Sequence, residues 1–383
     1  MVIGVPREIM REENRVAATP ETCAAFVRAG HTVLMERGAG EGAFFADAQY
    51  EAAGVSVVPD AREVYGRADV VLKVKEPQYN EALREHEADL LHKGQVLIAF
   101  LHPAAPGNHA MVRRLAHNGV TALTLDGIPR IPRAREMDPL ISMSVCAGYK
   151  GVLMAVCLLP RFVPGVALQG GTAEPARALV VGAGVAGMQA LDTLRRLGAR
   201  VFAADIREDA RERAQNLGAE MVDLSPPSQA GLGADAHEAL LEHERAVLAR
   251  LLPDMDVVVL SQLMLGHQAP VLVTAGMVQS MKPGSVILDI SVDQGGNCEL
   301  TEPGEIVLRH GVHVIGIKNI PGRLPESSTA MFARNVLNLF MYLTPGGTLR
   351  LDPGDEVVRG ILTTAGGEVV HDGALEAMGL AVQ

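Results

Sequence analysis

Short apolar runs alternate with segments of helical spacing along the first part of the chain. The runs are VIGVP (2–6), TVLMERG (32–38), DVVLKVK (69–75), VLIAFLH (96–102) and VTALTLD (120–126). Continuous apolar runs of this length are typical of parallel strands that are buried on both faces. The stretches between them, such as 20–30 and 109–118, have the apolar spacing of helices. This alternation predicts an α/β domain.

A second α/β series follows a long apolar stretch, 139–159, which we expect to be one helix that carries the chain from one domain to the next. The strand-like runs of this series are ALVV (178–181), RVFAADI (200–206), DVVVLSQ (256–262), SVILDIS (285–291) and HVIGIKN (313–319). A helix is predicted from about Ser328 to Leu343. The segment 225–235, SPPSQAGLGAD, is rich in Pro and Gly and is predicted to be a loop.

Composition narrows the class of protein. The 383 residues suffice for two domains, and 48% of them are apolar. A net charge of −11 and the absence of Trp argue against nucleic acid as a partner. Since no basic region followed by a long apolar run opens the chain, we expect no signal peptide. The apolar stretch 151–159 is too short to cross a bilayer, so a cytoplasmic protein that is not membrane-embedded is predicted.

The cysteines do not form a metal-binding pattern. Cys23, Cys146, Cys157 and Cys298 include no CxxC pair, and no cluster of histidines accompanies them. We therefore expect no metal site and predict that these side chains are buried or half-buried apolar groups.

A dinucleotide fingerprint follows the strand-like run ALVV. Gly182, Gly184 and Gly187 form GxGxxG, with Val185 and Ala186 inside the motif, and Asp205 ends the next run, followed by Ile206. The first glycine permits a tight turn, the second lets a pyrophosphate approach the backbone, and the third lets helix and strand pack closely. The helix N-terminus favours the anionic pyrophosphate, and Asp205 suits the ribose hydroxyls. The negative charge of Asp205 favours NAD(H) over NADP(H), and Arg207 weakens that preference a little.

With the fingerprint placed, the chain resembles the family that unites alanine dehydrogenase with the NAD-binding alpha subunit of proton-translocating transhydrogenase. The resemblance covers nearly the whole chain and is carried by GVPREI (4–9), ENRVAATP (13–20), ERGAGEGAFF (36–45), KVKEP (73–77), MKPGSVILDISVDQGGNCE (281–299) and NIPGRLPESST (319–329). It implies two Rossmann-like, doubly wound domains. A catalytic domain of 1–138 plus 314–383 would be discontinuous, an NAD(H)-binding domain of 139–313 would be inserted in it, and substrate would bind in the cleft. The family forms dimers or hexamers, so a homo-oligomer is implied.

The alanine dehydrogenase branch implies four substrate-handling residues. An Arg binds the substrate carboxylate, a Lys contacts the substrate oxygen or carboxylate, a His is the acid/base, and an Asp assists water, ammonia and proton transfer. The matching positions are Arg15, Lys75, His102 and Asp293. The chemistry is consistent, because Arg reads a carboxylate bidentately and His titrates near neutral pH. Met143 and Ser144 match the segment that contacts the nicotinamide end of the cofactor, although both could instead be packing in the first helical turns.

Other features resemble the transhydrogenase branch, which usually lacks the Lys–His pair. In PRIPRAREMD (129–138), Arg130 and Asp138 match that branch's signature loop, but Arg135 stands where the loop has Gln, and Ile141 stands where it has Ser. The loop 225–235 lies where transhydrogenases have a mobile loop with a Tyr, and no Tyr is found between Tyr149 and Tyr342. The chain length and the segment 361–371 also resemble that branch.

Our interpretation of the sequence depends most on the substrate-handling residues Arg15, Lys75, His102 and Asp293. They favour an NAD-dependent dehydrogenase that converts L-alanine or a related small 2-amino acid reversibly to the 2-oxo acid and ammonia. Two alternatives stay open. One is the soluble NAD(H)-binding alpha subunit of a transhydrogenase, which would need separate membrane subunits as partners. The other is a non-catalytic NAD-binding or regulatory protein.

Overall fold

The computed structural model describes residues 1–224, 236–263 and 268–381. The strands in chain order are β1 (Val2–Val5), β2 (Thr32–Glu36), β3 (Ser56–Val58), β4 (Val70–Leu72), β5 (Tyr79–Asn80), β6 (Glu85–His86), β7 (Val96–Ala99), β8 (Thr121–Thr124), β9 (Val166–Leu168), β10 (Gly171–Ala173), β11 (Arg177–Val181), β12 (Arg200–Ala204), β13 (Glu220–Val222), β14 (Val257–Leu260), β15 (Val286–Asp289), β16 (Ile306–Arg309), β17 (Val312–Ile315), β18 (Leu362–Ala365) and β19 (Glu368–Val369). The α-helices are α1 (Pro20–Arg28), α2 (Asp47–Ala52), α3 (Ala61–Arg67), α4 (Glu87–Leu90), α5 (His109–His117), α6 (Pro139–Leu158), α7 (Val185–Arg196), α8 (Glu208–Asn216), α9 (Ala236–Leu251), α10 (Ala275–Ser280), α11 (Pro325–Leu343), α12 (Glu356–Ile361) and α13 (Asp372–Ala377).

The chain divides into two compact units, 1–143 with 321–383, and 144–320. We call them the first unit and the second unit. The first therefore consists of two separate stretches of sequence, while the second is continuous. Helix α6 begins in the first unit and ends in the second. The boundaries given above, 138/139 and 313/314, remain a sequence-based prediction.

The sheet of the first unit has the strand order β19-β18-β8-β7-β4-β1-β2-β3. The strands from β8 to β3 run parallel, whereas β18 and β19 are antiparallel. From β1 the strand order runs outward in both directions, to β2 and β3 on one side and to β4, β7 and β8 on the other. The loops after β1, β4, β7 and β8 therefore lie at the carboxyl edge of the sheet, where open α/β sheets bind ligands. Arg15, Lys75 and His102 follow the first three of these strands.

The sheet of the second unit has the order β13-β12-β11-β14-β15-β17-β16, parallel except for β16. Its central strands are fully buried, which explains their continuous apolar sequences. The strand order reverses direction at β11, and the glycine fingerprint is the loop that follows β11. The predicted α/β fold with two doubly wound sheets is confirmed.

Two predictions from composition need correction. Helix α6 is 20 residues long and contains an 18-residue window with a mean hydropathy of 1.6, so by length and composition the whole helix would suffice to cross a membrane, whereas the prediction considered 151–159 alone. However, 44% of that window is buried inside the protein, and a core helix of a soluble protein meets the same criterion. In addition, Cys157 is exposed, while Cys23, Cys146 and Cys298 are buried as predicted.

Candidate functional site

The three glycines of the fingerprint are constrained in different ways. Gly182 has φ +89°, and a Cβ there would lie 2.9 Å from the carbonyl carbon of Ser261. At Gly187 a Cβ would lie 1.9 Å from the carbonyl oxygen of Gly182, so any side chain would push α7 away from β11. Gly184 has an ordinary φ of −70° and open space, with its nearest neighbour, Arg207 Nη2, at 3.9 Å. Protein packing therefore explains Gly182 and Gly187 but not Gly184.

The space at Gly184 fits the pyrophosphate of a dinucleotide. Gly184 is the N-cap residue of α7, and it has no side chain with which to satisfy the N–H groups of the first turn. Those N–H groups and the helix dipole suit an anion. Val185 and Ala186 form the first turn itself. Val185 and Ile206 expose apolar side chains beside the loop, with 40% and 49% of their surface accessible, as adenosine would require.

Asp205 ties the end of β12 to the glycine loop. Its Oδ2 accepts the N–H of Ala183 at 2.7 Å, and both carboxylate oxygens pair with the guanidinium of Arg207 at 2.9–3.1 Å. Burial would raise the pKa of Asp205, but the bonds from Arg207 and Ala183 outweigh burial and lower it. Asp205 is thus an anion at neutral pH, positioned for ribose hydroxyls, and half-exposed Arg207 balances its charge.

The DQGG segment after β15 is organised by Asp289, the last residue of that strand. Its buried carboxylate accepts the N–H groups of Ser291, Asn297 and Cys298 and the hydroxyl of Thr301. Burial raises its pKa against these four bonds. Asp289 is therefore the N-cap of the 3-10 helix Ile290–Gln294. Asp293 lies in the short 3-10 helix that follows, and its side chain is exposed.

Arg15 is buried on the loop between β1 and α1. Its Nε donates to Oε1 of Glu13 at 2.7 Å, and its Nη1 lies 2.9 Å from the sulfur of Met143. Burial would raise the pKa of Glu13, but the guanidinium of Arg15 outweighs burial and lowers it, with a smaller contribution from the charge of Lys75. The guanidinium is thus fixed in orientation by Glu13, and Met143, placed near the cofactor by sequence, packs against it. Ser144 is partly buried and belongs to the second unit.

His102 forms a dyad with Asp126. Its Nδ1 lies 2.7 Å from Oδ1 of Asp126, and its backbone N–H donates to Oδ2 at 2.8 Å. Burial would lower the pKa of His102, but the hydrogen bond and charge of Asp126 outweigh burial and raise it. The backbone of His102 has φ +44°, a strained conformation for a residue with a side chain. Such strain is concentrated at functional sites, where surrounding contacts hold it.

The charge of Lys75 links these two groups. Besides lowering the pKa of Glu13, it opposes the upward shift of His102. Within the first unit, therefore, the structure brings the surroundings of Arg15, the ammonium of Lys75 and the His102–Asp126 dyad to one edge of the sheet. A cavity of about 700 Å³ is lined by Glu8, Glu13, Arg15, Gly38 and Tyr79, among others, while Lys75, His102 and Asp126 do not line it. The lining residues fall in four stretches of sequence, 7–10, 13–15, 36–42 and 79–82, which belong to the motifs that carry the family resemblance or lie next to one of them.

The residues of the loop 129–138 that match the signature differ in their exposure. Arg130 and Arg135 are exposed, whereas Asp138 is buried and accepts the N–H of Leu140 at the start of α6. Burial raises the pKa of Asp138, and the bonds to the helix backbone lower it in part. Asp138 therefore has a structural role as a helix cap. The loop 225–235 lies outside the described residues.

Asp126 is the functional candidate that sequence reasoning missed. The signal was present, because Asp126 lies two residues after the end of β8, and β8 pairs in parallel with β7, the strand before His102. Parallel neighbours place the residues that follow them side by side. Within the described ranges, no group of three His, Cys, Asp or Glu side chains could hold a metal ion.

Two doubly wound sheets, a glycine loop with room for a pyrophosphate and an anionic Asp205 define an NAD-dependent oxidoreductase. Residues 4–147 match the alanine dehydrogenase/PNT N-terminal domain, and residues 151–372 match the corresponding C-terminal domain. The chain belongs to the alanine dehydrogenase/PNT family.

Relatives fall in both branches of this family. The chain is 38% identical to the NAD(P) transhydrogenase subunit alpha of Cereibacter sphaeroides, over 98% of its own length and 71% of that relative. Among solved structures, a transhydrogenase from Sinorhizobium meliloti matches with a TM-score of 0.83 at 34% identity, covering 97% of this chain and 99% of that one. An L-alanine dehydrogenase matches with a TM-score of 0.84 at 31% identity, covering 99% of both chains. The backbone therefore does not distinguish the two activities.

Proposed function

We propose that this chain is an NAD-dependent dehydrogenase of a small 2-amino acid, with L-alanine and its 2-oxo acid as the leading pair. The observation that carries the proposal is the His102–Asp126 dyad beside the charge of Lys75. Hydride exchange between two nicotinamides moves no proton to or from a substrate heteroatom, so it does not require an acid/base dyad. Oxidative deamination requires several proton transfers, which a histidine of raised pKa performs near neutral pH.

The residues divide the work as follows. Gly182, Gly184, Gly187 and the first turn of α7 would hold the pyrophosphate of NAD(H), and Asp205 would hold its ribose. The bound cofactor supplies the hydride acceptor. Arg15, oriented by Glu13, binds the substrate carboxylate. Lys75 stabilises negative charge on the oxygen of the 2-oxo acid.

His102 is the acid/base that transfers protons. Neutral His102 removes a proton from the substrate ammonium, which becomes an iminium as hydride leaves, and releases that proton to solvent. It then takes a proton from the water that adds to the iminium and returns it to the amino group. As ammonia leaves and the carbonyl forms, His102 takes the remaining hydroxyl proton. Asp126 keeps the ring oriented and stabilises its charged form. We assign Asp293 a secondary role with water or ammonia. A cytoplasmic location and a homo-oligomer complete the proposal.

The test is an assay of NADH absorbance with purified protein, ammonium and a panel of 2-oxo acids. Oxidation of NADH that depends on both ammonium and one oxo acid is expected, and it names the substrate. Lys75→Ala and His102→Ala should abolish this turnover while NADH still binds. A flat trace across the panel with NADH bound, or full activity in either variant, contradicts the proposal.

A transhydrogenase alpha subunit is the second candidate. It is favoured by the 38% identity to the Cereibacter sphaeroides subunit. Against it stand Arg135 and Ile141 in the loop 129–141 and the capping role of Asp138. This candidate predicts no turnover with ammonium and oxo acids, but hydride exchange once the membrane and NADP(H)-binding subunits of such a complex are added.

A further inference from the structure

The segment that carries Lys75 is attached to a buried ionic cluster outside the catalytic residues named so far. Lys73 is buried, and its Nζ lies 3.3 Å from Oε2 of Glu8 and 3.1 Å from Oε1 of Glu87. Burial would lower the pKa of Lys73, but the two carboxylates outweigh burial and raise it. Burying one cation between two anions is weak evidence for stability, since apolar residues of similar volume often stabilise as well. The cluster therefore calls for another explanation.

The two carboxylates bind the backbone on either side of Lys75. Oε1 of Glu8 accepts the N–H of Val74 at 2.6 Å, and its Oε2 lies 3.4 Å from the N–H of Lys75. Oε2 of Glu87 accepts the N–H of Gln78 at 3.0 Å, while the hydroxyl of Tyr65 donates to Oε1 at 2.9 Å. Three backbone donors between residues 74 and 78 thus end on two carboxylates that Lys73 joins.

We propose that Glu8, Lys73 and Glu87 form a positioning clamp that fixes the backbone at 74–78 and thereby places the ammonium of Lys75 for the substrate. The part that concerns substrate rests on the proposed function. Glu8 acts through the backbone of Lys75 and is a positioning residue, not a catalytic one. The strand β4 ends at Leu72, and backbone bonds to the neighbouring segment continue through the N–H of Lys73 and the carbonyl of Val74, which pair with Ile98 and Phe100. The N–H groups of Val74, Lys75 and Gln78 are held by the two carboxylates instead.

The clamp should respond to pH near neutrality. Burial raises the pKa of Glu8 from 4.5 to about 7; Lys73 opposes the rise, and the negative charges of Glu13 and Glu87 add to it. Other titratable groups around the cluster are Tyr65, Glu36 and Arg7. As a carboxylate, Glu8 accepts both backbone N–H groups, whereas its protonated form has a hydroxyl that must point away from them. The clamp therefore weakens as the pH falls through about 7.

Amide hydrogen exchange of the full chain measures the clamp without reference to activity. In Glu8→Gln, which keeps the volume but loses an acceptor, we expect the amides of Val74 and Lys75 to exchange at least tenfold faster. In Glu87→Gln the acceleration should appear at Gln78, so each variant is the control for the other. Asp69→Asn removes a carboxylate that accepts a backbone N–H, that of Val2, at the opposite end of β4, and it should leave 74–78 unchanged.

The wild-type protein supplies a test that needs no variant to fold. After correction for intrinsic exchange, protection of Val74 and Lys75 should fall as the pH is lowered from 8 to 6, and Glu8→Gln should lose this dependence. In the oxo-acid assay, Glu8→Gln should raise KM for the oxo acid about tenfold, with kcat less affected and NADH affinity unchanged. Equal exchange in wild type and Glu8→Gln, or acceleration spread over the whole first unit, overturns the clamp. The expected exchange pattern without turnover in wild type rejects the proposed function and supports the clamp.

Discussion

The contrast between Gly184 and Gly187 gives a prediction in which stability and cofactor binding separate. In Gly187→Ala the new Cβ begins 1.9 Å from the carbonyl oxygen of Gly182, so two backbone segments must move apart by about 1 Å. Overpacking of this kind costs about 1–3 kcal/mol, which lowers Tm by roughly 3–10 °C for a unit of this size. In Gly184→Ala the backbone angles suit alanine and the nearest atom is 3.9 Å away, so the free energy of unfolding should change by less than about 1 kcal/mol.

The methyl group of Gly184→Ala occupies the space that we assign to the pyrophosphate, so NADH affinity should fall tenfold or more, which is about 1.4 kcal/mol. Thermal unfolding without ligand and titration of NADH fluorescence measure the two effects. Gly276→Ala is the matched control, because Gly276 is an exposed glycine of α10 in the same unit with space for a Cβ. If Gly184→Ala binds NADH as tightly as wild type, our placement of the pyrophosphate is wrong.

Three further predictions follow from the contacts of the aspartates Asp126, Asp289 and Asp205. Asp126→Asn should lower kcat/KM by about 10²-fold while NADH affinity is retained. Because the pKa of His102 is raised in the folded protein, the His102–Asp126 pair stabilises the fold fully below the unfolded histidine pKa, and this stabilisation is lost as the pH rises through the folded pKa. The Tm difference between wild type and Asp126→Asn should therefore shrink between pH 6 and 9, and a constant difference would contradict the argument. Asp289→Ala leaves buried donors without an acceptor and should destabilise by about 3–5 kcal/mol in urea unfolding, with an effect below about 1 kcal/mol counting against the role. Asp205→Ser should shift the preference toward NADP(H) at least tenfold in paired titrations, since Arg207 is then available to a 2′-phosphate; an unchanged preference would show that Arg207 cannot reach it.

The periodic features of the sequence predicted the fold well. Continuous apolar runs identified the parallel strands, and the fingerprint predicted the strand–turn–helix from β11 to α7, because both patterns arise from local geometry. The ends of the strands were predicted less accurately. The run DVVLKVK was predicted to extend to Lys75, but β4 ends at Leu72. Backbone bonds to the β7 segment continue as far as the carbonyl of Val74, whereas the N–H of Val74 donates to Glu8. The apolar pattern alone could not show that the N–H groups of Val74 and Gln78 donate to side-chain carboxylates.

The site was predictable only in part. Arg15, Lys75 and His102 were found through the family resemblance, and their roles remain predictions. Asp126, Glu8 and Glu87 were missed, because each acts through contacts between residues far apart in sequence. The separation of Glu8 from Val74, for example, is 66 residues. Among these, only Asp126 could have been found from strand adjacency.

The two-part construction of the first unit imposes an order on biosynthesis. Strand β8 pairs with β18, so its outer edge has no partner until Leu362–Ala365 leaves the ribosome. At ~5–20 residues per second, the wait lasts roughly ten to fifty seconds, during which the continuous segment 144–320 is synthesised completely. An unpaired strand edge is a site for aggregation. Nascent chains stalled before residue 362 should therefore be the ones that depend most on chaperones, while their inserted unit is already able to fold.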